Sequence, residues 1–424
     1  MFIQGYGECP KTNGDWDVRA QELMALLTAT APQLQSLLFH QSRLSSVYKP
    51  AFSAALSQLS QLNQLTSLSL SFHVARVTTA QVDTIVQGLP SLQYLVLTGG
   101  DYFLSDGFPV GIATSCSQLQ HLQVLGAYQA ETLPDFGCLT MLTSLKLGFS
   151  SFSLPESISH LTGLRNFEMY SRNFTELPEQ LWHLESITRL SLQIHYFSNQ
   201  GLSSCISRLT ALHNLTLSQT ACCILPVQLT ACRQLTHLTI RTDRFSPVIA
   251  RLQLLRSLAV TIHPTKLRDN TYWTQLSGLT QLSVSGCHVS QFSGISGMTS
   301  LRNLVLSGSS GLPEGPYLSR LQRLSLLDFE YKAGIPPALQ SAAQLQTLEI
   351  TPPIEFSNDD DDDDDNVALV MNLPAALKSL TLVYANIIHG TADEWNRRVA
   401  DLRAVFIAEG RVPPVIKSNL IIVK

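Results

Sequence analysis

"LTMLTSLKLGFSSFSLPESISHLTGLRNFEMY", residues 139–170, contains one apolar pattern twice, while the residues between its apolar positions change. The pattern fills its first, fourth and sixth positions with Leu142, Leu145 and Leu147, then with Leu164, Phe167 and Met169. Residues two apart point to the same side of a β-strand, so Leu145 and Leu147 share one face. One strand cannot bury them alone, but stacked units can share a core behind a parallel sheet. The pattern therefore predicts a repeat architecture.

The same pattern recurs along most of the 424-residue chain. Fifteen units can be counted, whose first apolar residues are Leu34, Leu65, Leu92, Leu122, Leu142, Leu164, Ile187, Leu212, Leu235, Leu255, Leu279, Leu301, Leu324, Leu345 and Leu377. From Leu122 to Leu345 the spacing stays between 20 and 25 residues, with longer steps before Leu122 and before Leu377. A self-similar period of this length is typical of a solenoid.

The segments between the strands must return the chain to the start of the next strand. Leu-Pro pairs occur in these segments at 133–134, 154–155, 177–178, 225–226 and 312–313. Proline has a restricted φ and no N–H donor, so it suits the start of a short helical or irregular return. Ile158 and Leu161 follow one such pair at the spacing of one helical turn, which predicts that both turn inward.

These residues resemble the leucine-rich repeat superfamily, and the resemblance covers roughly 34–390. "FTELPEQLWHLESITRLSL" (174–192) is similar to the intracellular scaffold-like repeats, and "AGIPPALQSAAQLQTLEI" (333–350) is similar to the plant-type repeats. The resemblance implies an α/β leucine-rich-repeat solenoid of about fifteen repeats. Its curved parallel β-sheet would line the concave face, and short helices or irregular segments would form the convex face.

One position departs from the family pattern. The family usually has Asn eight residues into each unit, where it bonds to backbone between coils. This chain has Ser150, Arg172, His195, Thr220, Asp243, His263, Cys287 and Ser309 at those positions. Hydroxyls, Asp and Cys can replace part of that bonding, whereas Arg172 and His195 have no obvious way to do so.

A solenoid exposes apolar coil at both ends and needs caps. Residues 1–33 are predicted to form an N-terminal helical cap, with an amphipathic helix at 16–30. Residues 34–390 form the repeats, interrupted by an acidic insertion at 353–366, and 391–424 form a C-terminal helix–strand cap. In that cap Thr391 and Glu394 have the spacing of a capping box. Trp395, Val399, Leu402 and Phe406 share one face of the following helix.

The insertion contains seven consecutive aspartates, Asp359 to Asp365. Like charges repel one another, so the run predicts a solvated loop. It is either a flexible insertion tolerated at a repeat edge or a segment that attracts a basic protein surface at long range. The run lacks the glycine and the spaced ligands of a calcium-binding loop.

The sequence contains no pattern that indicates catalysis. It has no Gly-rich phosphate loop, H-E-x-x-H or G-x-S-x-G motif, so neither an enzyme nor a cofactor or metal site is predicted. The eight cysteines lie mostly far apart and no secretory signal is recognised, which favours free thiols in the cytoplasm. No apolar stretch predicts a membrane span, and the nearly neutral body outside the Asp run argues against nucleic acid.

A protein partner is predicted on the concave face, at side chains that point away from the core. The first candidate region contains Tyr128, Phe149, Tyr170, Arg189, Tyr196, His237 and Arg241. Counted from the repeat, Tyr128 and Tyr170 flank Gly148 and form a slot for a partner's side chain. Tyr and Arg often dominate interface energy. The alternative is that Lys146 and Glu168 pair on adjacent coils and the rings cover the pair.

The second candidate region lies near the Asp run, where a basic partner surface would be drawn to three acids. These are Asp328, Glu330 and Glu349. The alternative is that they are solvated acids without a partner.

The resulting prediction is a non-catalytic scaffold or adaptor that binds a protein ligand on the concave face. The family resemblance leaves a substrate-recognition subunit of a ubiquitin ligase as one alternative. That role needs an adaptor-binding motif before the repeats, and only about 33 residues precede Leu34. A secreted or surface recognition protein and a structural spacer without a ligand are the others. Eight free thiols would indicate the cytosol, and four disulfides the exterior.

Overall fold

The structure, a computed structural model, divides into two compact units, residues 1–234 and 235–424. It describes residues 2–5, 33–41, 56–72, 77–100, 103–104, 106–127, 133–150, 152–171, 177–194, 202–218, 224–242, 246–262, 271–286, 293–308, 311–327, 336–350, 373–382, 400, 403–404, 406–407 and 412–418.

The first unit contains a parallel sheet in which each strand is hydrogen-bonded to the next one in the chain. Its strands are β1 Phe2–Gly5, β2 Ser36–Gln41, β3 Ser67–Phe72, β4 Tyr94–Gly99, β5 His121–Ala127, β6 Ser144–Phe149, β7 Asn166–Ser171, β8 Arg189–Ile194 and β9 Asn214–Ser218. The returns contain α1 Thr79–Gln87, α2 Val110–Ser115 and 3₁₀ helices at Gln58–Gln61, Glu156–His160, Glu179–His183, Ser204–Arg208 and Val227–Ala231.

The second unit repeats the same construction with a parallel sheet in chain order. Its strands are β10 His237–Thr242, β11 Ser257–Ile262, β12 Gln281–Ser285, β13 Asn303–Ser307, β14 Arg323–Leu327, β15 Thr347–Ile350, β16 Ser379–Leu382 and β17 Val415–Ser418. Its returns contain α3 Pro247–Ala250 and 3₁₀ helices at Thr271–Gln275, Ser293–Gly297, Pro316–Arg320 and Pro337–Ser341. The fifteen strands β2–β16 match the number of predicted repeats.

Alternation along each strand separates the core from the exposed face of the sheet. In β7, Phe167 and Met169 are 0% exposed, whereas Glu168 and Tyr170 between and after them are partly exposed. Phe167 pairs in register with Leu145 of β6, so the apolar side chains of successive coils meet in one interior. Each fully buried side chain of this size contributes about 1.5–3 kcal/mol, which is why the pattern keeps its apolar positions and varies the others.

Threonine hydroxyls add hydrogen bonds between successive coils. The carbonyl of Gln120 accepts the backbone N–H groups of Thr143 and Ser144, and the Thr143 hydroxyl donates to the same carbonyl at 3.0 Å. Hydroxyls at the equivalent position of other coils, Thr66, Thr188 and Thr280, do the same. These bonds hold the start of a strand to the preceding coil.

The Leu-Pro pairs begin the returns as predicted. Pro155, Pro178 and Pro226 each stand directly before a 3₁₀ helix in extended conformation, with ψ between 143° and 152°. Ile158 and Leu161 are both 0% exposed, so the return packs its apolar side chains against the back of the sheet.

The register corrects the phase of two predicted units. Leu122 of β5 pairs with Leu145, so Leu119 and not Leu122 is equivalent to Leu142. Likewise Leu324 pairs with Leu304, which makes Leu321 the first position of its unit. In both units, apolar residues stand at the true start, three positions after it and six positions after it. The pattern therefore fits the sequence in two phases.

The predicted caps are described in part. Residues 2–5, assigned to a helical cap, form instead the strand β1, which pairs in parallel with β2. Residues 400, 403–404 and 406–407 have helical backbone, and Phe406 is 2% exposed. β17 pairs with β16. The helix predicted at 16–30, the acidic insertion 353–366 and the capping box at Thr391 lie outside the described residues.

A buried hydroxyl bridges two coils close to the position where the family usually has Asn. Ser171, the last residue of β7, is 3% exposed, and its hydroxyl donates to the Ser150 carbonyl of the preceding coil at 3.2 Å. Ser171 stands seven residues into its unit, one position before the one that the family comparison singled out. Position eight is described in one coil, at Ser150, and the other seven position-eight residues lie outside the described ones.

Candidate binding surface on the exposed sheet face

Five side chains on β4–β7 form a cluster on the exposed face of the first unit, called here the open-face cluster: Tyr94, His121, Lys146, Glu168 and Tyr170. Lys146 Nζ lies 2.7 Å from Glu168 Oε2 and 5.2 Å from the centre of the Tyr170 ring. The rings of Tyr94 and His121 stack with their centres 4.3 Å apart and their planes 7° from parallel. Parallel register brings these residues together, since they lie on four successive strands of the sheet.

The Lys146–Glu168 pair is partly shielded, with side-chain exposures of 26% and 40%. Burial lowers the pKa of Lys146, but the hydrogen bond and charge of Glu168, helped by Tyr170, outweigh it and hold that pKa above its usual value. The ammonium is therefore firmly charged and lies over a π-face, an arrangement that orients both side chains. The sequence analysis gave a Lys146–Glu168 pair covered by rings as the alternative to the slot. The structure shows this pair, with the Tyr170 ring beside it.

His121 has an unusual environment for a surface histidine. Its Nε2 is buried and has no hydrogen-bond partner among the described residues. Burial lowers the pKa of His121; Glu168 opposes this effect, Lys146 adds to it, and the net shift is downward. The ring is thus neutral at pH 7 and presents, with the 41% exposed Tyr94, a flat aromatic surface.

The predicted slot required Tyr128 and Tyr170 to occupy the same position in their units. The register does not support this. Gly148 pairs with Tyr170 on one side and with Leu125 on the other, and a bulge at Gly126 shifts β5 so that Ala127 pairs with Phe149. A Cβ at Gly148 would lie 2.6 Å from Leu125 Cδ2, so the Leu125 side chain occupies the space beside it. Tyr128 itself lies outside the described residues.

The remaining predicted residues of the first unit divide between the core and the surface. Phe149 is 4% exposed and packs edge-on against Phe108 and Phe152, so its side chain belongs to the core and not to the binding surface. The prediction took this position as outward, but β6 continues through Phe149, so the alternation that buries Leu145 and Leu147 buries Phe149 as well. Arg189 is exposed at the start of β8, and Tyr196 lies outside the described residues.

In the second unit, His237 and Arg241 are both exposed on β10, and the His237 Nδ1 lies 2.8 Å from the Thr236 hydroxyl. Glu349 lies on the exposed face of β15, where its carboxylate accepts a hydrogen bond from Ser325 at 2.8 Å. The predicted acidic region counted its coil from Leu324. In the true register Ser325, and not an acid, faces Glu349, while Asp328 and Glu330 lie outside the described residues.

A shallow groove of about 250 Å³ crosses the exposed face of β11–β14 in the second unit and is called here the Arg323 groove. Small side chains, Ala259, Ser283, Val305 and Ser325, pair in register along its floor. One edge carries Ser257, Gln281, Asn303 and Arg323. The sequence prediction missed this groove and the Tyr94–His121 stack; counting the units from Leu119 and Leu321 would have placed His121 and Arg323 at the first outward position.

Among the described residues, no group of His, Cys, Asp and Glu has the arrangement of a metal site. No helix in the described part of the chain has the length and apolar character needed to cross a bilayer. The four described cysteines are free thiols, with Cys116 and Cys232 buried, Cys205 partly exposed and Cys138 exposed.

Solved structures share this architecture. The alignment with a leucine-rich-repeat protein of Leptospira interrogans spans 93% of this chain and 98% of that protein's chain, with a TM-score of 0.53 and 20% identity. The alignment with the internalin InlF of Listeria monocytogenes spans 82% of this chain and 96% of the internalin chain, with a TM-score of 0.54 and 17% identity. The sequence matches no protein-family model and no curated protein. The strand register of each unit and these two structures together show that this chain has the fold of the leucine-rich-repeat solenoids.

Proposed function

We propose that this protein is a non-catalytic scaffold or adaptor that binds a protein ligand on the exposed face of its sheet. The observation that carries the proposal is the open-face cluster. It combines a stacked Tyr94–His121 pair with a Lys146–Glu168–Tyr170 group, on strands that fix the spacing of these side chains. Aromatic residues held in advance lose little freedom on binding, which is why such groups often supply most of the energy of an interface.

A cytoplasmic location belongs to the same proposal. It is supported by the four described free thiols, of which Cys138 is exposed and Cys205 partly exposed. The alternatives remain a ubiquitin-ligase substrate receptor and a secreted recognition protein. Counting free thiols in the purified chain separates the last from the others, because a secreted chain with eight cysteines would form disulfides.

Three purified forms of the chain are used to capture proteins from a cell extract. The test compares the amounts of the captured proteins, measured by mass spectrometry. The forms are the wild type, Tyr94→Ala/Tyr170→Ala on the exposed face, and Met141→Ala/Ile224→Ala at exposed positions outside the strands, which are 51% and 65% exposed. We expect a set of captured proteins to be lost with the first variant and kept with the second.

Circular dichroism and the thermal midpoint establish that both variants are folded. If every captured protein binds all three forms equally, the exposed face is not the binding surface. The proposal then fails even if capture itself is strong.

A further inference from the structure

The Arg323 groove differs in chemistry from the open-face cluster. Its floor has no long side chain, so a ligand can approach the backbone of the sheet closely between Ala259 and Ser325. Its edge offers N–H donors from the amides of Gln281 and Asn303 and from the Arg323 guanidinium. The Ser257 hydroxyl donates to Gln281 Oε1 at 3.5 Å, so a ligand would meet the amide of Gln281 as a donor through its nitrogen.

The described lining of the groove carries one positive charge. Arg323 is exposed and is the one charged residue among the described residues that line the groove. Glu349 on the adjacent strand β15 is charged and accepts the hydroxyl of Ser325, but it is in register with Ser325, whereas Arg323 is in register with Thr347. A planar guanidinium with five donors binds a carboxylate through two parallel hydrogen bonds, and it does so best where no carboxylate of its own protein competes.

We infer that the Arg323 groove binds an acidic peptide segment of a partner protein. A carboxylate of the segment pairs with Arg323, backbone carbonyls of the segment accept from Gln281 and Asn303, and a small apolar residue lies over Ala259 and Val305. The sign of this charge is opposite to that expected from the acids predicted at Asp328 and Glu330. The inference rests on the proposed function, because it takes the exposed face to be a protein-binding surface.

The dimensions of the groove fit a short segment. It crosses four strands, and adjacent strands lie about 4.8 Å apart, so it extends over roughly 14 Å. An extended chain advances about 3.3–3.6 Å per residue, which gives about four residues in the groove. A groove of this size selects for a local motif in a partner and not for a whole folded surface.

The test begins with a random heptapeptide library displayed on phage and panned on the full chain. We expect the selected peptides to be enriched in Asp and Glu. One selected peptide, labelled with fluorescein, is then titrated by fluorescence anisotropy against the wild type, Arg323→Gln and Ser283→Trp, the second of which fills the floor. Arg323→Gln and Ser283→Trp should each weaken binding about tenfold or more, the loss that follows truncation of a central interface residue.

The matched control is Arg320→Gln, which removes the same charge from the 3₁₀ helix Pro316–Arg320 of the same coil. Arg320 is exposed there, and it is the backbone carbonyl of this residue that accepts a hydrogen bond from Arg302. Binding should change less than twofold in this variant. Selected peptides without acids, or an unchanged affinity in Arg323→Gln, would overturn the inference.

Two further comparisons distinguish this inference from binding at the open-face cluster and from recognition of phosphate. If the peptide loses affinity for Tyr94→Ala/Tyr170→Ala but not for Arg323→Gln, the proposed function stands and the groove is wrongly assigned. If a ten-residue thymidine oligonucleotide binds more tightly than the peptide and depends on Arg323, the groove recognises phosphate and the peptide assignment is wrong. If the capture from extract is the same for all three forms while peptide binding still depends on Arg323, the result counts against the open-face cluster.

Discussion

At the scale of the residue, neighbours on adjacent strands control the protonation of His121. Burial lowers its pKa, the negative charge of Glu168 raises it, and the positive charge of Lys146 lowers it. His121, Lys146 and Glu168 belong to β5, β6 and β7, which are strands of three successive repeats and are adjacent in the sheet. The Tyr94 ring stacks on the imidazole with the two ring centres 4.3 Å apart.

Substitutions in the pair should move the pKa of His121 in opposite directions. Glu168→Gln removes a charge that favours the imidazolium, so the pKa should fall further; Lys146→Met removes a repelling charge, so the pKa should rise. The measurement is an NMR titration of the His121 ring signals in each variant. Shifts of the same sign in both variants would contradict the assigned geometry.

The same titration has a consequence for stability. Because the folded pKa of His121 lies below the unfolded value of about 6.5, the neutral ring contributes stability above that pH, and the contribution is lost as pH falls through the folded pKa. His121→Phe keeps a ring against Tyr94 without a titrating group. The thermal midpoint of the wild type should therefore drop relative to that of His121→Phe as the pH is lowered from 7 to 5.

Thiol reactivity is a second property set at single residues. Burial raises the pKa of the Cys116 thiol to about 12 and that of Cys232 to about 11. Both should resist iodoacetamide at pH 8 in the native chain, because the thiolate is the reactive form, whereas the exposed Cys138 should be alkylated. Peptide mapping by mass spectrometry measures this directly, with the denatured chain as the control in which all three react.

At the scale of the element, the ends of the strands in the second unit depend on glycine. Gly286 follows β12 with a φ of +83°, and its N–H donates to the Ser307 carbonyl at 3.0 Å. Gly308 follows β13 in the same way, with a φ of +68° and a bond to the Leu327 carbonyl at 2.9 Å. The space around the two glycines differs, and this difference makes them a matched pair.

Alanine at these positions should have unequal effects. A Cβ at Gly286 would lie 2.3 Å from the Ile262 carbonyl oxygen, whereas one at Gly308 has its nearest neighbour at 3.9 Å. Gly308→Ala should cost about 1–2 kcal/mol for its left-handed backbone alone. Gly286→Ala adds a clash with backbone and should cost more, about 2–4 kcal/mol. Denaturant unfolding measures both losses, and equal losses would show that the clash is relieved at no cost.

At the scale of the whole molecule, each coil is stabilised by the coils next to it. In the first unit Leu192 of β8 is 0% exposed and pairs in register with Met169 on one side and Leu217 on the other. Removing its side chain leaves a cavity shared by three coils. The cost of such a change is about 2–5 kcal/mol.

Leu192→Ala should therefore loosen neighbouring coils before distant ones. Hydrogen exchange measured by mass spectrometry should rise in β7, β8 and β9 more than in β2 and β3, because stability in a repeat array propagates through nearest neighbours. The exposed-face variant Ser191→Ala in the same strand is the control and should change exchange little. A rise confined to β8 would show that the coils do not share a core.

The sequence by itself determined the repeat, its length and, in the units counted in the right phase, the inward leucine positions, because apolar residues two apart on a strand share one face and are buried together. It did not determine that Phe149 points inward. It also determined the Leu-Pro returns, since proline restricts the backbone locally. Only the tertiary structure decided the phase of the units at Leu119 and Leu321, because their apolar residues fit the pattern in two frames and the choice depends on hydrogen bonding to adjacent strands. The composition of the exposed face followed from that phase: it placed His121 against Tyr94, Leu125 beside Gly148, and Arg323 at the edge of an uncharged floor. Side chains on the exposed face come from strands distant in sequence, so their contacts are set by register and not by any local pattern.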